Sequence, residues 1–404
     1  MPRSLPEDPI IRRLVQQARA SQLSRRTLLA GAAGGAAALT LAACAPASSG
    51  APSPATDVSD AEKVLRWSNW ALYLDEDDAG DYPTLDRFIE ETGIDTTYTV
   101  EIDDNNTYYG RIKDQLALGQ DVGADLVCLT DWMIGRMIRF GYAQKLDHAN
   151  IPNFANLDPA LVDVDFDPGR EFSIPWQGGF GGICWEIEKF PNGFESVSEL
   201  WDEPELAGKL VVLSEMRDTI GLIMLEQGID ITGDFSEADF TAALDVFREQ
   251  IGNGQIGAVK GNSYIEDLTN GDAWAGIVWS GDVMAINAEL GYEKFGFALP
   301  EAGATRWNDN FLVPIGATHK KNAETLIDYY YRPEVAAEVA AWVNYITPVE
   351  GAQEAMAEFA PELVDNQLIF PDSDTLAKSH LFRSLTPAEE QSFGDAFQRV
   401  LLGA

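Results

Sequence analysis

Several short stretches of the chain combine tryptophans with carboxylates. In Ala273–Asp282 an apolar segment ends in Trp279, and Asp282 follows three residues later. This pair suits a small organic cation, because the indole face attracts the cation and the carboxylate supplies the counter-charge that a desolvated ammonium needs. Taken alone, the pair fits a core tryptophan beside an aspartate in a glycine turn equally well. Similar residues recur in Trp67–Trp70, Ser214–Asp218 and Arg306–Asp309, and this recurrence favours a cation site.

The sequence carries no motif of a common hydrolase. It contains neither G-x-S-x-G nor H-E-x-x-H, and His148, His319 and His380 are too far apart for a metal-ligand spacing. We therefore expect a non-enzymatic protein without cofactor or metal. The alternatives are a secreted glycoside hydrolase with an acid pair, a sugar-binding protein, and a binding protein for another organic cation. The four carboxylates of these stretches, Glu215, Asp218, Asp282 and Asp309, would be excessive for a neutral sugar, which favours the cation.

The composition fits a globular protein of two domains. The chain has 404 residues, 46% of them hydrophobic, and ten are tryptophan. Its formal charge of −37 repels nucleic acid and anionic lipid and attracts cations, so we expect no nucleic-acid partner. Cys128 and Cys184 lie in apolar runs, and the sequence leaves open whether they are buried thiols or a disulfide.

The N-terminal sequence resembles a twin-arginine export signal joined to a bacterial lipoprotein cleavage site. Arg25 and Arg26 precede an Ala- and Gly-rich run that ends in Leu-Ala-Ala-Cys44. The resemblance predicts a signal peptide over 1–43 and acylation of the Cys44 thiol. The following Ala-, Pro- and Ser-rich stretch predicts a flexible tether over 44–61. The mature protein would be lipid-anchored at the outer face of the cell membrane or in the periplasm.

The hydrophobic pattern beyond the tether predicts an α/β fold. Strands at 63–67, 94–102 and 124–129 alternate with helices that begin near Leu85 and at 107–118. Thr130, Asp131 and Trp132 follow the third strand, and ligands of open α/β sheets bind at such carboxyl ends. The glycine-rich Ser173–Glu186 is interpreted as the first crossing between two lobes, and a second α/β unit follows it.

With these residues in view, the chain resembles the polyamine-binding branch of the bacterial extracellular solute-binding proteins of ABC importers. The resemblance spans roughly 63–400 and lies in the order of its markers. These are Asn69-Trp70, Asn153–Asp158, the Ser173–Glu186 crossing, Trp279-x-Gly281-Asp282, Trp307-x-Asp309, Tyr331–Ala336 and Tyr345–Pro348. It implies a two-lobed periplasmic-binding-protein-like fold (type II) with a ligand cleft between the lobes. The expected lobes are 62–174 plus 308–352, and 175–307 plus 353–404.

The resemblance also implies the ligand, the partners and the site. A monomer would bind putrescine or spermidine and deliver it to the transmembrane subunits of an ABC permease. The implied aromatic walls are Trp70, Trp132, Trp279, Trp307 and Tyr345. The implied charge partners are Glu215, Asp218, Asp282 and Asp309, with Thr130 as a hydrogen-bonding wall residue. Tyr73 is kept from the family's N-W-x-E-Y motif, but Leu72 replaces its acid, and Asp131 is the candidate to compensate.

Overall fold

The computed structural model describes residues 52–403, so the export-signal residues Arg25 and Arg26 and the predicted lipidation site Cys44 lie outside it. The described strands are listed here in chain order. They are β1 (Val64–Trp70), β2 (Asp95–Ile102), β3 (Leu126–Thr130), β4 (Asp163–Val164), β5 (Asp167–Pro168), β6 (Ser173–Glu186), β7 (Leu210–Leu213), β8 (Ile256–Lys260), β9 (Ala275–Trp279), β10 (Phe295–Ala298), β11 (Ala304–Leu312) and β12 (Ser379–Leu381).

The α-helices alternate with these strands in the first two thirds of the chain and dominate the last third. They are α1 (Pro83–Thr92), α2 (Asn105–Ala117), α3 (Asp131–Arg139), α4 (Val197–Asp202), α5 (Met216–Glu226), α6 (Glu237–Gly252), α7 (Tyr264–Asn270), α8 (Ser280–Leu290), α9 (Lys320–Tyr330), α10 (Pro333–Val343), α11 (Ala352–Met356), α12 (Ser373–Ala377) and α13 (Pro387–Leu401).

One mixed sheet carries the architecture, with strand order β2-β1-β3-β11-β6-β9-β7-β8. The flanking trios, β2-β1-β3 and β9-β7-β8, are parallel, because helices cross from one strand to the next. The central strands β11 and β6 run antiparallel to each other and join the two halves. The predicted α/β fold is thus present in both halves, while the lobe boundaries stay a prediction.

The helix ends show why the sequence pattern predicted these elements. Pro83 occupies the first turn of α1, where its missing N–H costs nothing, and Gly93 ends the helix in the left-handed region at φ 68°. Helix α13 begins with a capping box between Thr386 and Glu389. The predicted helix at 107–118 is α2, which Asp104 caps by accepting a hydrogen bond from the Thr107 N–H.

The glycine-rich segment, predicted as the first crossing between the lobes, is the strand β6 in the centre of the sheet. Glycine is required there by close packing on one face of β6. A Cβ on Gly179 would lie 2.6 Å from the Trp307 ring and 2.8 Å from the Tyr345 ring. The glycines therefore let two aromatic side chains approach the β6 backbone.

Residues 52–62 pack on the folded unit, although the tether was predicted to extend to 61. Backbone N–H groups of Ala55 and Val58 donate to the carbonyls of Ile315 and Thr318, at 2.9 and 2.8 Å. The buried Ser59 hydroxyl accepts from the Asn322 N–H. Hydrogen-bonded backbone therefore begins near residue 55, well before the predicted end of the tether.

The cysteines left open by the sequence are both buried free thiols, so Cys128 and Cys184 form no disulfide with each other. No helix within residues 52–403 has the length and apolar character needed to cross a membrane.

Candidate ligand-binding site

A small cavity lies where the two halves of the sheet meet. Ten of the eleven predicted ligand-binding residues line it. The lining residues are Trp70, Ala71, Tyr73, Thr130, Glu215, Asp218, Asn262, Trp279, Asp282, Trp307, Asp309 and Tyr345. Eight of the twelve lie at the carboxyl end of a strand or within three residues after it, as expected for ligand sites of α/β sheets.

Aromatic rings form a continuous belt around the cavity. Trp279 lies 6.2 Å from Trp70 and 6.3 Å from Trp307, measured between ring centroids. Tyr345 lies 5.2 Å from Trp307 and 5.4 Å from Tyr73. All four contacts are edge-to-face, so each ring fixes the orientation of the next. The belt offers ring faces and apolar edges to whatever occupies the cavity.

Asp309 presents an unsatisfied acceptor to the cavity. Its Oδ2 accepts a hydrogen bond of 2.9 Å from the Tyr73 hydroxyl. Its Oδ1 is buried and accepts no hydrogen bond of normal geometry from residues 52–403. Burial raises the pKa of Asp309 to about 7, opposed by the Thr130 and Tyr73 hydroxyls and reinforced by Asp131 and Asp218. A buried acceptor of this kind is costly unless a donor completes it.

Asp282 is bonded by the protein itself. The hydroxyls of Tyr264 and Tyr345 donate to it at 2.6 and 2.8 Å, and the Asn262 amide donates at 3.1 Å. Burial still raises its pKa to about 6. Asp282 therefore holds Tyr345 in the aromatic belt and adds negative charge to the cavity. Its neighbour Gly281 lies in the first turn of α8, in place of the predicted turn, and a Cβ there would meet the Tyr345 ring at 2.6 Å.

The other two carboxylates sit at the start of α5. Asp218 accepts hydrogen bonds from Trp279 Nε1 at 2.9 Å and from the Thr305 hydroxyl at 2.6 Å, and burial raises its pKa. Glu215 caps the helix, and its Oε2 accepts from the Asn105 amide at 3.3 Å. Burial raises the pKa of Glu215 to about 8, and Arg217, with a nitrogen 3.9 Å away, opposes the rise.

Trp132 is the predicted wall residue that does not line the cavity. Helix α3 begins at Asp131, so Trp132 lies in its first turn, with its ring 4.1 Å from the Arg217 guanidinium and 4.8 Å from that of Arg136. Asp131, the candidate to compensate for Leu72, does not line the cavity either. Its carboxylate accepts hydrogen bonds from the side chains of Asn308 and Asn310.

Two lining residues were not predicted from the sequence, Ala71 and Asn262. Asn262 follows the end of β8 by two residues, so its place at the carboxyl end of a strand was the available signal. Among residues 52–403 no group of three or more His, Cys, Asp or Glu side chains is arranged to hold a metal ion. The cavity therefore combines aromatic faces with acidic groups that are not arranged around a metal.

The geometry agrees with what sequence comparison finds. Residues 84–369, well over half of the chain, match the family model described as bacterial extracellular solute-binding protein. The chain belongs to this family. Its role is therefore that of a solute-binding protein, and the cavity is its candidate solute site. Because the family is extracellular, the mature protein acts outside the cytoplasm.

Curated relatives and solved structures extend this likeness over most of the solute-binding protein. It is 26% identical to the spermidine/putrescine-binding periplasmic protein of Escherichia coli, over 85% of this chain and 93% of that protein. It is 27% identical to the putrescine-binding periplasmic protein PotF of E. coli, over 85% and 92%. The fold matches that of a Listeria monocytogenes protein with TM-score 0.73 and 25% identity, over 85% of this chain and 100% of the other. PotD of Streptococcus pneumoniae, a spermidine/putrescine ABC transporter substrate-binding protein, matches with TM-score 0.66 and 23% identity, over 84% and 98%. The predicted periplasmic-binding-protein-like fold is thereby confirmed.

Proposed function

We propose that this protein is the substrate-binding component of an ABC importer, which captures putrescine or spermidine outside the membrane and delivers it to the permease. The observation that carries the proposal is the buried Oδ1 of Asp309 beside the aromatic belt, which accepts no hydrogen bond of normal geometry from residues 52–403. A ligand N–H is the donor this oxygen lacks. The role requires binding and release of the ligand, with no chemical step.

The charge of the cavity supports a cationic ligand. Glu215, Asp218, Asp282 and Asp309 all line the cavity and are more than nine-tenths buried. Arg217 is the basic side chain that pairs with one of them, at a distance of 3.9 Å. The acidic groups therefore outnumber the nearby cation, and a bound polyammonium would offset their mutual repulsion.

The shape of the cavity supports a ligand with an apolar middle. A methylene chain gains roughly 0.8 kcal/mol for each CH₂ removed from water. Indole faces also attract the ammonium groups at its ends. A polyamine has both features, whereas a neutral sugar would leave the carboxylates without a counter-charge. The printed names of the relatives, which are spermidine/putrescine- and putrescine-binding proteins, agree with this choice.

A ligand panel tests the proposal. Titration calorimetry on the protein that begins directly after the predicted lipidation site Cys44 should give binding heat with putrescine or spermidine, and no heat with glucose or maltose. Thermal melting should rise with the same ligands, because a ligand that binds only the folded state stabilises it. Wild-type protein that shows neither heat nor a melting shift with either polyamine at millimolar concentration would refute the polyamine assignment.

We further propose that the two halves of the sheet belong to hinged lobes, which are open without ligand and close over it. Contacts across the cavity mouth support this. The Asp103 carboxylate accepts from the Ser263 N–H at 2.8 Å, and the Ser214 hydroxyl donates to Asp104 at 2.8 Å. On another side Glu390 of α13 pairs with Arg136 and Arg139 of α3, at 2.7 and 2.6 Å.

Glu390→Gln is expected to destabilise the closed form. The change removes the charge that two arginines share across the lobes, and charge-assisted hydrogen bonds are the stronger ones. Small-angle scattering of the wild type, at the mass of a monomer, should show a larger radius of gyration without ligand than with saturating putrescine, and Glu390→Gln should need more putrescine to reach the smaller value. Glu389→Gln is the matched control, because Glu389 pairs with Arg383, six residues away, and glutamine retains the capping box. Equal putrescine requirements for the two variants would contradict this role of Glu390, and a wild-type radius that putrescine leaves unchanged would contradict the closure.

We also propose that the protein is exported through its twin arginines and anchored by an acylated Cys44. Replacing Arg25 and Arg26 by lysines should retain precursor in the cytoplasm. Cys44→Ala should abolish lipid labelling and release the protein from the membrane fraction. A Cys44→Ala protein that still carries acyl chains would show that the anchor lies elsewhere.

A further inference from the structure

Arg170 is a fully buried arginine in an unusual setting. Its φ of 55° places it in the left-handed region, which costs a non-glycine residue about 1 kcal/mol or more. No acidic group within residues 52–403 is paired with it in a salt bridge, and its Nη2 has no hydrogen-bond partner there. A strained, buried charge of this kind persists only where the surrounding structure requires it.

The hydrogen bonds of Arg170 lead to the strand that carries Asp309. Its Nε donates to the Leu161 carbonyl at 2.6 Å, and its Nη1 donates to Asn310 Oδ1 at 2.9 Å. Asn310 is also fully buried, and it connects Arg170 to Asp131, because its Nδ2 donates to Asp131 Oδ1 at 2.6 Å. Burial lowers the pKa of Arg170, and the Asp131 carboxylate opposes that shift. Arg170 and Asp131 are therefore linked electrostatically through one amide.

Asp131 in turn connects to both residues that flank Asp309 on β11. Its Oδ2 accepts from Asn308 Nδ2 at 3.1 Å, while Asn310 holds its Oδ1. Residues 308 and 310 share one face of a strand, and residue 309 points to the other. The register of β11 with β6 shifts between Asp309 and Asn310, because Trp176 is an extra residue on β6 at this point, while β11 itself stays in regular register with β3. Arg170 and Asp131 thus hold β11 by hydrogen bonds on the face opposite the cavity, at the residues next to Asp309.

We propose that Arg170 is a positioning residue for the ligand-binding site: through Asn310 and Asp131 it holds β11 in place and so aims Oδ1 of Asp309 into the cavity. The inference rests on the proposed polyamine function. It assigns Arg170 no contact with the ligand, since Arg170 does not line the cavity. The same network explains Asp131, which the sequence offered as a ligand-binding acid.

Arg170→Met is the direct test. It removes the donors and keeps an unbranched side chain, and we expect putrescine affinity to fall about ten-fold, as for residues coupled in one hydrogen-bond network. The sign is informative, because the loss of a merely nearby positive charge would tighten the binding of a cation. Arg306→Met is the matched control: it removes an arginine from β11 itself, and it should not weaken binding.

A double-mutant cycle separates positioning from general damage. If Arg170 acts through Asp309, Arg170→Met should lose its effect in an Asp309→Asn background and keep it in a Trp279→Ala background. Equal losses in both backgrounds would overturn the proposal. If Arg170→Met does not fold, Asn308→Ala can replace it in the same cycle. This change removes the hydrogen bond from Asn308 to Asp131 at a partly exposed position.

The crystal structure of the Arg170→Met protein without ligand gives a second readout. We expect the Asp309 carboxylate to leave its place against the Tyr73 hydroxyl. An unmoved Asp309 would overturn the positioning role, whether or not the protein binds polyamines. A different result would refute only the polyamine function: the wild type binds no polyamine, but Asp309 is displaced in the Arg170→Met structure.

Discussion

Asp309→Asn is expected to weaken putrescine binding by roughly tens- to thousands-fold, which corresponds to the about 2–5 kcal/mol of a truncated buried charge pair. Asp309 Oδ1 is the buried acceptor that a ligand ammonium would complete. An asparagine keeps the shape of the side chain but removes the charge, so the ammonium would be desolvated without a counter-charge. Titration calorimetry against wild type measures the loss.

The stability of the empty Asp309→Asn protein separates this role from a structural one. Burial raises the pKa of Asp309, so its charged form already costs folding free energy above the pKa of the unfolded chain. The thermal midpoint without ligand should therefore stay equal to wild type or rise at pH 8. Asp114→Asn, on the exposed face of α2, removes one charge far from the cavity and should leave the affinity unchanged. If Asp309→Asn binds as well as wild type, the site is misassigned.

Much of the site could be predicted because its residues follow strands that the hydrophobic pattern marks. Trp279 ends β9, and Glu215 follows β7 by two residues, so the carboxyl-end rule brings them together. Trp307 and Asp309 were predicted from the Trp-x-Asp pattern, but that they lie on a strand, β11, where a spacing of two puts both on one face, was not. Only the positions of Trp279 and Glu215 follow from local sequence and elementary strand geometry.

Trp132 shows where the same rule fails. It also follows a strand, yet α3 starts at Asp131 and turns the indole toward Arg136 and Arg217. Arg217 lies 85 residues further along the chain, so no local sequence pattern predicts its contact with Trp132. The bonds from Asn262 and Tyr264 to Asp282 are likewise tertiary, and the sequence presented that aspartate as a free ligand for an amine.

The sequence marked two glycine features without showing which side chains need them. Gly281 was predicted in a turn, but it lies in a helix, where its missing side chain admits the Tyr345 ring. The run in β6 was predicted as a crossing between the lobes, and the structure adds that it is a strand packed under two rings. A glycine-rich composition indicates that another group packs closely against the backbone. Only the fold shows that the group is an aromatic side chain.

Three buried carboxyl groups of the cavity are partly protonated near neutral pH when no ligand is bound. Burial is the first cause of each shift, and it raises the pKa to about 6 for Asp282, about 7 for Asp309 and about 8 for Glu215. The folded protein without ligand thus holds more protons than the unfolded chain at these pH values. Its unfolding free energy should accordingly fall, as far as these groups contribute, while pH rises from about 4 through 8.

A bound polyammonium favours the charged carboxylates, so binding should release protons and strengthen as pH rises from 5.5 to 8.5. For Asp309 alone, a pKa about 1.5 units above pH 5.5 corresponds to an affinity about 30-fold below its high-pH limit, and Glu215 adds to this. The amines themselves stay protonated over this range, as a lysine does.

Calorimetry in buffers of different ionisation enthalpy should report net proton release at pH 7. The melting shift produced by putrescine should be larger at pH 8 than at pH 5.5, and Asp309→Asn should flatten both dependences. An affinity that is constant between pH 5.5 and 8.5 would mean that the amines meet carboxylates already charged, and the proton-linked site would be wrong.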